Sequence, residues 1–480
     1  MMRSRNDAPT ERGQRPRRIH RARKPVDLGS DALGPLLFRL AVPAITAQVV
    51  NVLYNMVDRM YIGHIPNEGA LALTGLGVCF PLIMVVSAFA ALAAMGGAPR
   101  ASIMMGRKDH QAAERILGNC TAGTIVAGIA LTVILIAFGD RLLLLFGASE
   151  NTIGYAEAYL DVYACGTLFV MVALGLNSFI SAQGFATSSM LSVVIGAVAN
   201  IILDPLFIFG LGMGVTGAAV ATVISQSLSA AWVLRFLTGK KTLLRIRMRL
   251  VRLSPHVYGP CLALGLSPFI MQSTEGAITV CFNSSLLAYG GDLAVGAMTI
   301  LSSVMQFSML PLQGLTQGAQ PIMSYNYGAR NAQRMKGIFL LLLKSCVAYA
   351  AIVWAIAVFL PQAFIVVFTS DAELAAYTAW AMRIYLAASV LLGVQVACQQ
   401  TFVALGNAKT SLFLAILRKI ILLIPLTLAL PHVMADQVMA VFLAEPIADF
   451  MAVATTASLF FVQFRALLHK VDAERTEGAS

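Results

Sequence analysis

A helix needs about 20 consecutive apolar residues to cross the hydrocarbon core of a bilayer. Inside that core only helices and closed barrels leave no backbone amide unpaired. This chain meets the requirement twelve times, at roughly 36–62, 70–97, 115–138, 155–180, 188–209, 215–237, 257–288, 294–320, 337–360, 377–404, 410–430 and 437–463. That repetition sets the expected fold class before any motif is considered: an all-α polytopic membrane protein with twelve transmembrane helices. Composition agrees. Apolar residues are 58% of the chain and charged ones 12%, against ~25% in a soluble domain, too little polar surface to cover several water-soluble cores.

The net charge of +11 would suggest a nucleic-acid partner in a soluble protein, but its placement excludes one. Residues 1–39 hold ten Lys/Arg against four acids, the stretch 238–256 holds six and no acid, and the remainder is close to neutral. Loops after the second, sixth, eighth and tenth spans carry fourteen basic residues, including Arg107, Lys108, Arg330 and Arg334; the intervening loops carry one, Arg141, amid Glu68, Asp140, Glu150, Asp292, Asp371, Glu373 and Asp436. The positive-inside rule then places both termini and the 238–256 loop in the cytoplasm, with the body in the cytoplasmic (inner) membrane. The first apolar run follows a long basic tail and is too long for a cleavable leader, so it is read as a span. Seven scattered cysteines without a CxxC pair and six histidines outside the apolar runs give neither a disulfide framework nor a metal cluster.

The two halves of the chain repeat one another. An offset of 222 residues pairs Pro99 with Pro321, Gly106 with Gly328, Ile116 with Ile338, Tyr163 with Tyr385, Gly184 with Gly406 and Ser189 with Ser411. Each copy holds six spans, an even number, so both lie the same way up about a pseudo-two-fold axis along the membrane normal. Parallel repeats of this kind are a transporter signature, with the substrate bound between the lobes. The expected division is a basic cytoplasmic tail without fixed structure (1–35), an N-lobe (36–237), a basic linker (238–256), a C-lobe (257–463) and a cytoplasmic tail (464–480).

Acids inside the spans point to chemistry, because a charge at mid-bilayer costs about 2.5–3.5 kcal/mol on insertion scales. Asp58 stands one turn from Asn55 in span one, and Asp204 one turn from Asn200 in span five, beside Pro205. Glu275 follows Met271 and Gln272 in span seven, Gln306 lies in span eight, and Glu445 and Asp449 share a face of span twelve. Each also has a structural reading: Asp58 paired with Arg59, Asp204 anchoring the Pro205 bend, Arg418 and Lys419 snorkelling from span eleven. Few bases of equal depth accompany the acids, which suits cation binding: Asp58, Asp204, Asn55 and Asn200 form the expected coupling site for H⁺ or for Na⁺. Glu275, Gln272, Met271, Gln306, Glu445 and Asp449 form the expected substrate wall of the C-lobe. The Gly212–Gly217 stretch satisfies GxGxxG but lies between two spans without a strand, so it is read as a tight hairpin and not a nucleotide loop. No Walker A sequence is present, which excludes direct ATP drive on this chain.

PAITAQVVNVLYNMVDRMYIGHI in span one, GGAPRASIMMGRKD after span two, AVANIILDPLFIFGLGMGVTGAAVATVISQ in spans five and six, and LSPFIMQSTEGAITVCFN in span seven resemble the multidrug and toxic compound extrusion (MATE) family, over about residues 36–463. The resemblance implies a V-shaped pair of six-helix bundles exporting drugs and organic cations in exchange for H⁺ or Na⁺, with no cofactor and no enzymatic activity. It assigns Asp58 and Asp204 to the N-lobe cation site and Glu275 to the C-lobe. Asn177 and Val394 stand where branches of the family carry acids, which favours the N-lobe for coupling. The expected partners are small-molecule drugs and membrane lipid, with the protein a monomer. A flippase for lipid-linked or polysaccharide precursors is the alternative, but no deep arginine cluster is present to hold a pyrophosphate.

Overall fold

The computed structural model describes residues 26–66 and 68–477, and among these there is no strand. Six long helices come first: Leu33–Gly63, Gly69–Gly106, His110–Leu145, Ile153–Ala182, Ala186–Gly210 and Gly214–Thr238. Pro255–Gly328 follows, then Ala332–Phe359, the pair Ala372–Tyr385 and Ser389–Ala404 bent by 51°, Ala408–Val433 and Gln437–Glu477. At about 1.5 Å per residue the 74 residues of Pro255–Gly328 would run far beyond a ~30 Å core. They divide at Gly291, whose φ of 67° and ψ of −163° are open only to glycine, into two crossings. With the bent pair counted as one, the described residues make twelve spans, numbered one to twelve below.

Most helices extend beyond the apolar stretch that predicted them, and some of their starts carry a polar side-chain cap. Asp109 Oδ1 accepts the Ala112 amide at 2.9 Å and Asn331 Oδ1 the Arg334 amide at 3.1 Å, which satisfies donors a helix start leaves free. Three shorter features differ from a uniform run of spans. Spans five and eleven each contain a π-helical stretch, Leu206–Gly210 and Leu417–Leu423, and a short helical turn, Gln362–Ile365, precedes span ten. Gly212 and Gly214 take positive φ of 66° and 56°, the tight hairpin read from the sequence.

The 222-residue repeat reappears as paired geometry. Ser102 Oγ donates to Ala182 O at 2.8 Å and Ser324 Oγ to Ala404 O at 2.7 Å. Lys108 and Arg330 both hold left-handed φ, 63° and 55°, as do Gly184 and Gly406, 87° and 75°. Where the two copies meet, Gly106 lies against the backbone of Tyr325 and Gly328 against that of Ile103, each so close that a Cβ would fall under 3.0 Å from main-chain atoms. Tyr325 is itself the repeat partner of Ile103, so spans two and eight make one contact twice, at the edge bearing the basic loops.

At that edge the halves interlock. Leu36, Leu37 and Leu40 of span one pack into one core with Ile322, Met335, Phe402 and Phe460. Cys261 of span seven packs with Leu117, Leu176 and Val233 of the first half. Toward the opposite edge the cores separate: one holds Val86, Leu135 and Tyr163, another Phe282, Leu301, Met382 and Phe442. Large apolar side chains such as Val133, Ile136, Val280, Ile352 and Phe461 lie exposed, as lipid-facing residues must.

The flanking segments are folded against this edge. Residues 1–25 of the basic tail lie outside the described residues. The remainder, 26–35, expected without fixed structure, instead forms a turn and the start of span one. Leu28 is buried. Its carbonyl accepts Asn326 Nδ2 at 2.9 Å and Arg334 Nη2 at 3.2 Å, and the same guanidinium donates to Asp31 O at 2.8 Å. The linker is held to the first half. Gln183 Oε1 accepts Thr242 Oγ1, Leu243 N and Leu244 N at 2.8, 2.7 and 2.8 Å, Asn119 Oδ1 accepts Ser254 N at 2.6 Å, and Arg247 pairs with Glu114 at 2.7 Å. At the other end, 464–477, expected as a tail, continues the helix of span twelve.

Candidate functional site

Pro205 lacks an amide hydrogen and is followed by a π-helical turn, which loosens span five beside Asp204. Asp204 is fully buried and turns toward Asp58 of span one, which is 8% exposed. The two carboxyl groups lie close enough to share a hydrogen bond. Asn200, one turn before Asp204, donates its amide to Asp204 Oδ1 at 3.0 Å and to Thr222 Oγ1 at 3.5 Å. Asp58 Oδ1, Asn200 Oδ1 and Asp204 Oδ2 are buried without a hydrogen-bond partner. Two carboxyl groups in contact repel unless a proton or a cation lies between them. Three unpaired oxygens, all acceptors, fit a proton or a hard monovalent cation. Asn55, expected in this site, is exposed and donates to Asn51 O at 2.6 Å; its side chain is spent within its own helix.

Below this pair opens a cavity of ≈ 220 Å³. Its wall is uncharged and mixed, with apolar residues such as Met95, Leu174, Met190 and Val193 set among polar ones: Gln48, Asn51 and Tyr54 of span one, Asn177 of span four, Asn200 of span five, Gln226 of span six, and Gln317 and Gln320 of span eight. Asn177 Oδ1 and Ser225 Oγ, both in that wall, also lack partners. Of these residues, only Asn200 belongs to the sites expected from the sequence. The sequence signal for this wall is amides one turn apart in apolar spans, Gln48 with Asn51 and Gln317 with Gln320.

Four of the six residues expected to form a substrate wall in the second half, Met271, Glu275, Glu445 and Asp449, lie in one polar network. Arg418 and Lys419 do not snorkel. Consecutive helix positions point about 100° apart, so the two cations serve different neighbours. Arg418 Nε donates to Asp449 Oδ1 at 2.7 Å and Nη2 to Glu445 Oε1 at 2.9 Å. Lys419 Nζ pairs with Glu275 and donates to Met271 O at 3.2 Å. Gln395 and Gln399 extend the network, Gln399 Nε2 reaching Met271 Sδ at 3.3 Å. Glu445 and Asp449 are buried and already paired, so they are not free carboxylates. Gln272 is half-buried and Gln306 exposed, and none of the six expected residues lines the ≈ 220 Å³ cavity. A second cavity, ≈ 20 Å³, is lined by Met305 and Met309, while Met171 is core. Among the described residues no group of three or more His, Cys, Asp or Glu could hold a metal ion.

A family model described as MatE matches residues 43–206 and 268–428. The multidrug export protein MepA of Staphylococcus haemolyticus is 23% identical over 425 residues, covering 88% of this chain and 93% of its own. MepA of Staphylococcus aureus strain N315 is 24% identical over 388 residues, 81% of this chain and 85% of its own. Among solved structures, the MATE multidrug transporter DinF-BH shares 33% identity at a TM-score of 0.84, covering 92% of this chain and 98% of that one. An outward-facing multidrug resistance MATE transporter shares 24% identity at a TM-score of 0.83, covering 90% and 96%.

Proposed function

From the premise that this chain belongs to the MATE family, a family of transporters and not enzymes, we propose that it is a multidrug efflux antiporter of the cytoplasmic membrane. It exports organic, often cationic, compounds in exchange for H⁺ or Na⁺ by alternating access. The observation that carries this reading is the contact of Asp58 with Asp204 beside unpaired oxygens, next to an uncharged cavity of mixed apolar and amide lining. In this reading the basic edge faces the cytoplasm, both termini with it, and the sealed contact of spans two and eight belongs to a state open to the outside.

The geometry supports the following cycle. A proton or Na⁺ arriving from outside binds between Asp58 and Asp204 and removes their repulsion. Spans one and five then draw together, and the cavity they share, through Tyr54 and Asn200, is reshaped so that the drug held there is released to the outside. Each charge entering across 100 mV supplies about 2.3 kcal/mol, so one or two ions support export against a gradient. A flippase for lipid-linked precursors finds no support in the cavity, whose lining holds no arginine or lysine for a pyrophosphate. The protein acts as a monomer, with its basic linker at the lipid headgroups.

The test is efflux of a fluorescent organic cation from proteoliposomes, with pH and Na⁺ gradients imposed separately. One gradient drives export in the wild type and not in Asp58→Asn, which still inserts and binds dye. Export by Asp58→Asn at the wild-type rate would remove Asp58 from coupling.

A further inference from the structure

Two thiols from different halves of the chain meet where span seven packs into the first half. Cys120 of span three and Cys261 of span seven are both fully buried, and their side chains lie within hydrogen-bonding reach of each other. Span two holds both in place. A Cβ on Gly97 would fall under 3.0 Å from Cys120 Sγ, and one on Gly96 under 3.0 Å from Cys261 O. Arg100, one turn beyond Gly96, sets its guanidinium beside both sulfurs and within hydrogen-bonding reach of Cys261. Its Nε is buried and finds no acceptor among the described residues. A cationic donor beside a thiol readies the sulfur as a nucleophile. The transport cycle uses none of these three side chains.

Location decides what a bond between them would do. The contact of Gly96 with Cys261 has a repeat counterpart in Gly318, set against the main chain of Ala41. Span two therefore meets span seven as span eight meets span one. Both contacts join the halves, and both must part when the basic edge opens. Cys261 shares a core with Leu117 of span three, so a covalent link from Cys261 to span three would forbid the parting.

We infer that Cys120 and Cys261 form a redox switch: hydrogen peroxide converts the touching thiols to a disulfide that locks the basic edge shut and arrests export. One sulfur attacks the O–O bond, becomes a sulfenic acid and releases one water. The other attacks the sulfenic sulfur, forms the S–S bond and expels a second water. Two electrons pass from the thiols to the peroxide, and a dithiol reverses the link. Side chains already in contact need little backbone movement to bond, and disulfides facing the cytosol are as a rule transient and redox-sensing. The switch rests on the reading of the chain as a carrier whose basic edge opens in each cycle, and it adds a control that Asp58 and Asp204 do not supply.

The full-length protein in proteoliposomes is treated with hydrogen peroxide, and the remaining thiols are alkylated. Mass spectrometry then finds the peptides of Cys120 and Cys261 joined. Downhill exit of a fluorescent organic cation, with no ion gradient imposed, reads opening of the edge independently of coupling. In the wild type this flux falls at least about tenfold after peroxide and returns with dithiothreitol. Cys120→Ala and Cys261→Ala keep their flux in peroxide, whereas Cys165→Ala, which removes an exposed cysteine, loses it as the wild type does. A joined pair with undiminished flux overturns the inference, as do the two peptides emerging unjoined or an arrest that persists in Cys261→Ala. A wild type without downhill flux overturns it as well. If downhill flux is arrested as expected but neither gradient drives uphill export, the antiport reading fails and the switch stands.

Discussion

Replacing Gly106 with alanine tests how the two halves are held together at the basic edge. The new Cβ would lie under 3.0 Å from the carbonyl of Tyr325 and 2.9 Å from the amide nitrogen of Ala329. Both are main-chain groups, so no side-chain rotation relieves the clash. Reaching ordinary contact requires spans two and eight to part by about 1 Å, and overpacking of this kind costs roughly 1–3 kcal/mol. The strain falls on the state in which the edge is sealed and is absent once the edge opens. The ratio of opened to sealed molecules should therefore rise about 5- to 150-fold, at ~1.4 kcal/mol per tenfold. Adding Gly328→Ala should cost less than a second full increment, because one separation of the same two helices relieves both clashes. Spin labels at Gln111 and Gln333, exposed and repeat-equivalent at the rims of spans three and nine, read the opening as a longer distance component. Gly77→Ala is the control, since a Cβ there meets nothing within 4 Å, and it should leave the distances unchanged. A Gly106→Ala protein that folds normally and shows the wild-type distance distribution would refute the claim that this contact seals the edge.

Other features make separate predictions. Gln183→Ala leaves the Leu243 and Leu244 amides without their acceptor, the latter buried, while the Thr242 hydroxyl keeps Leu244 O; at about 1–3 kcal/mol per stranded group, tryptic nicking at Lys240, Lys241 and Arg245 should speed up by at least ~5-fold, and an unchanged rate would mean the linker is held elsewhere. Arg418→Met strands Glu445 and Asp449 in the interior and should destabilise the fold by about 3–5 kcal/mol. It should aggregate on heating in detergent well below the wild type, whereas Arg418→Met combined with Glu445→Gln and Asp449→Asn should recover most of the loss. Arg334→Gln removes the donor to Leu28 O and Asp31 O, and a cysteine at position 28 should then react faster with a water-soluble maleimide.

The sequence was legible wherever a rule acts along the chain. Apolar run length is local, so all twelve spans could be counted, and even the break at Gly291 fell in the gap expected between 288 and 294. The repeat was legible because the same backbone geometry needs the same residues, glycine at 184 and 406 or a cap at 109 and 331. What escaped depends on rotation of one helix against another. Arg418 and Lys419 are adjacent in sequence, and nothing in their neighbours says that one turns to span twelve and the other to span seven. The cavity was half legible: Gln48 with Asn51 and Gln317 with Gln320 mark one face of their helices, but only packing brings those faces and Gln226 to one wall. Asn55 shows the converse. One turn from Asp58 it has the spacing of a ligand, yet its amide returns to its own helix at Asn51 O.

The doubled contact of spans two and eight has an ancestral consequence. Gly106 on Tyr325 and Gly328 on Ile103 are what a symmetric homodimer makes, residue i on j and j on i. A six-span chain bearing this glycine would already have found its mate in a second copy of itself. Joining two such genes would then have required no new interface, only a tether of the length of 239–254. Fusion, in turn, released each copy from identity, so that one half could keep a pair of bare carboxyl groups while the other acquired an arginine and a lysine.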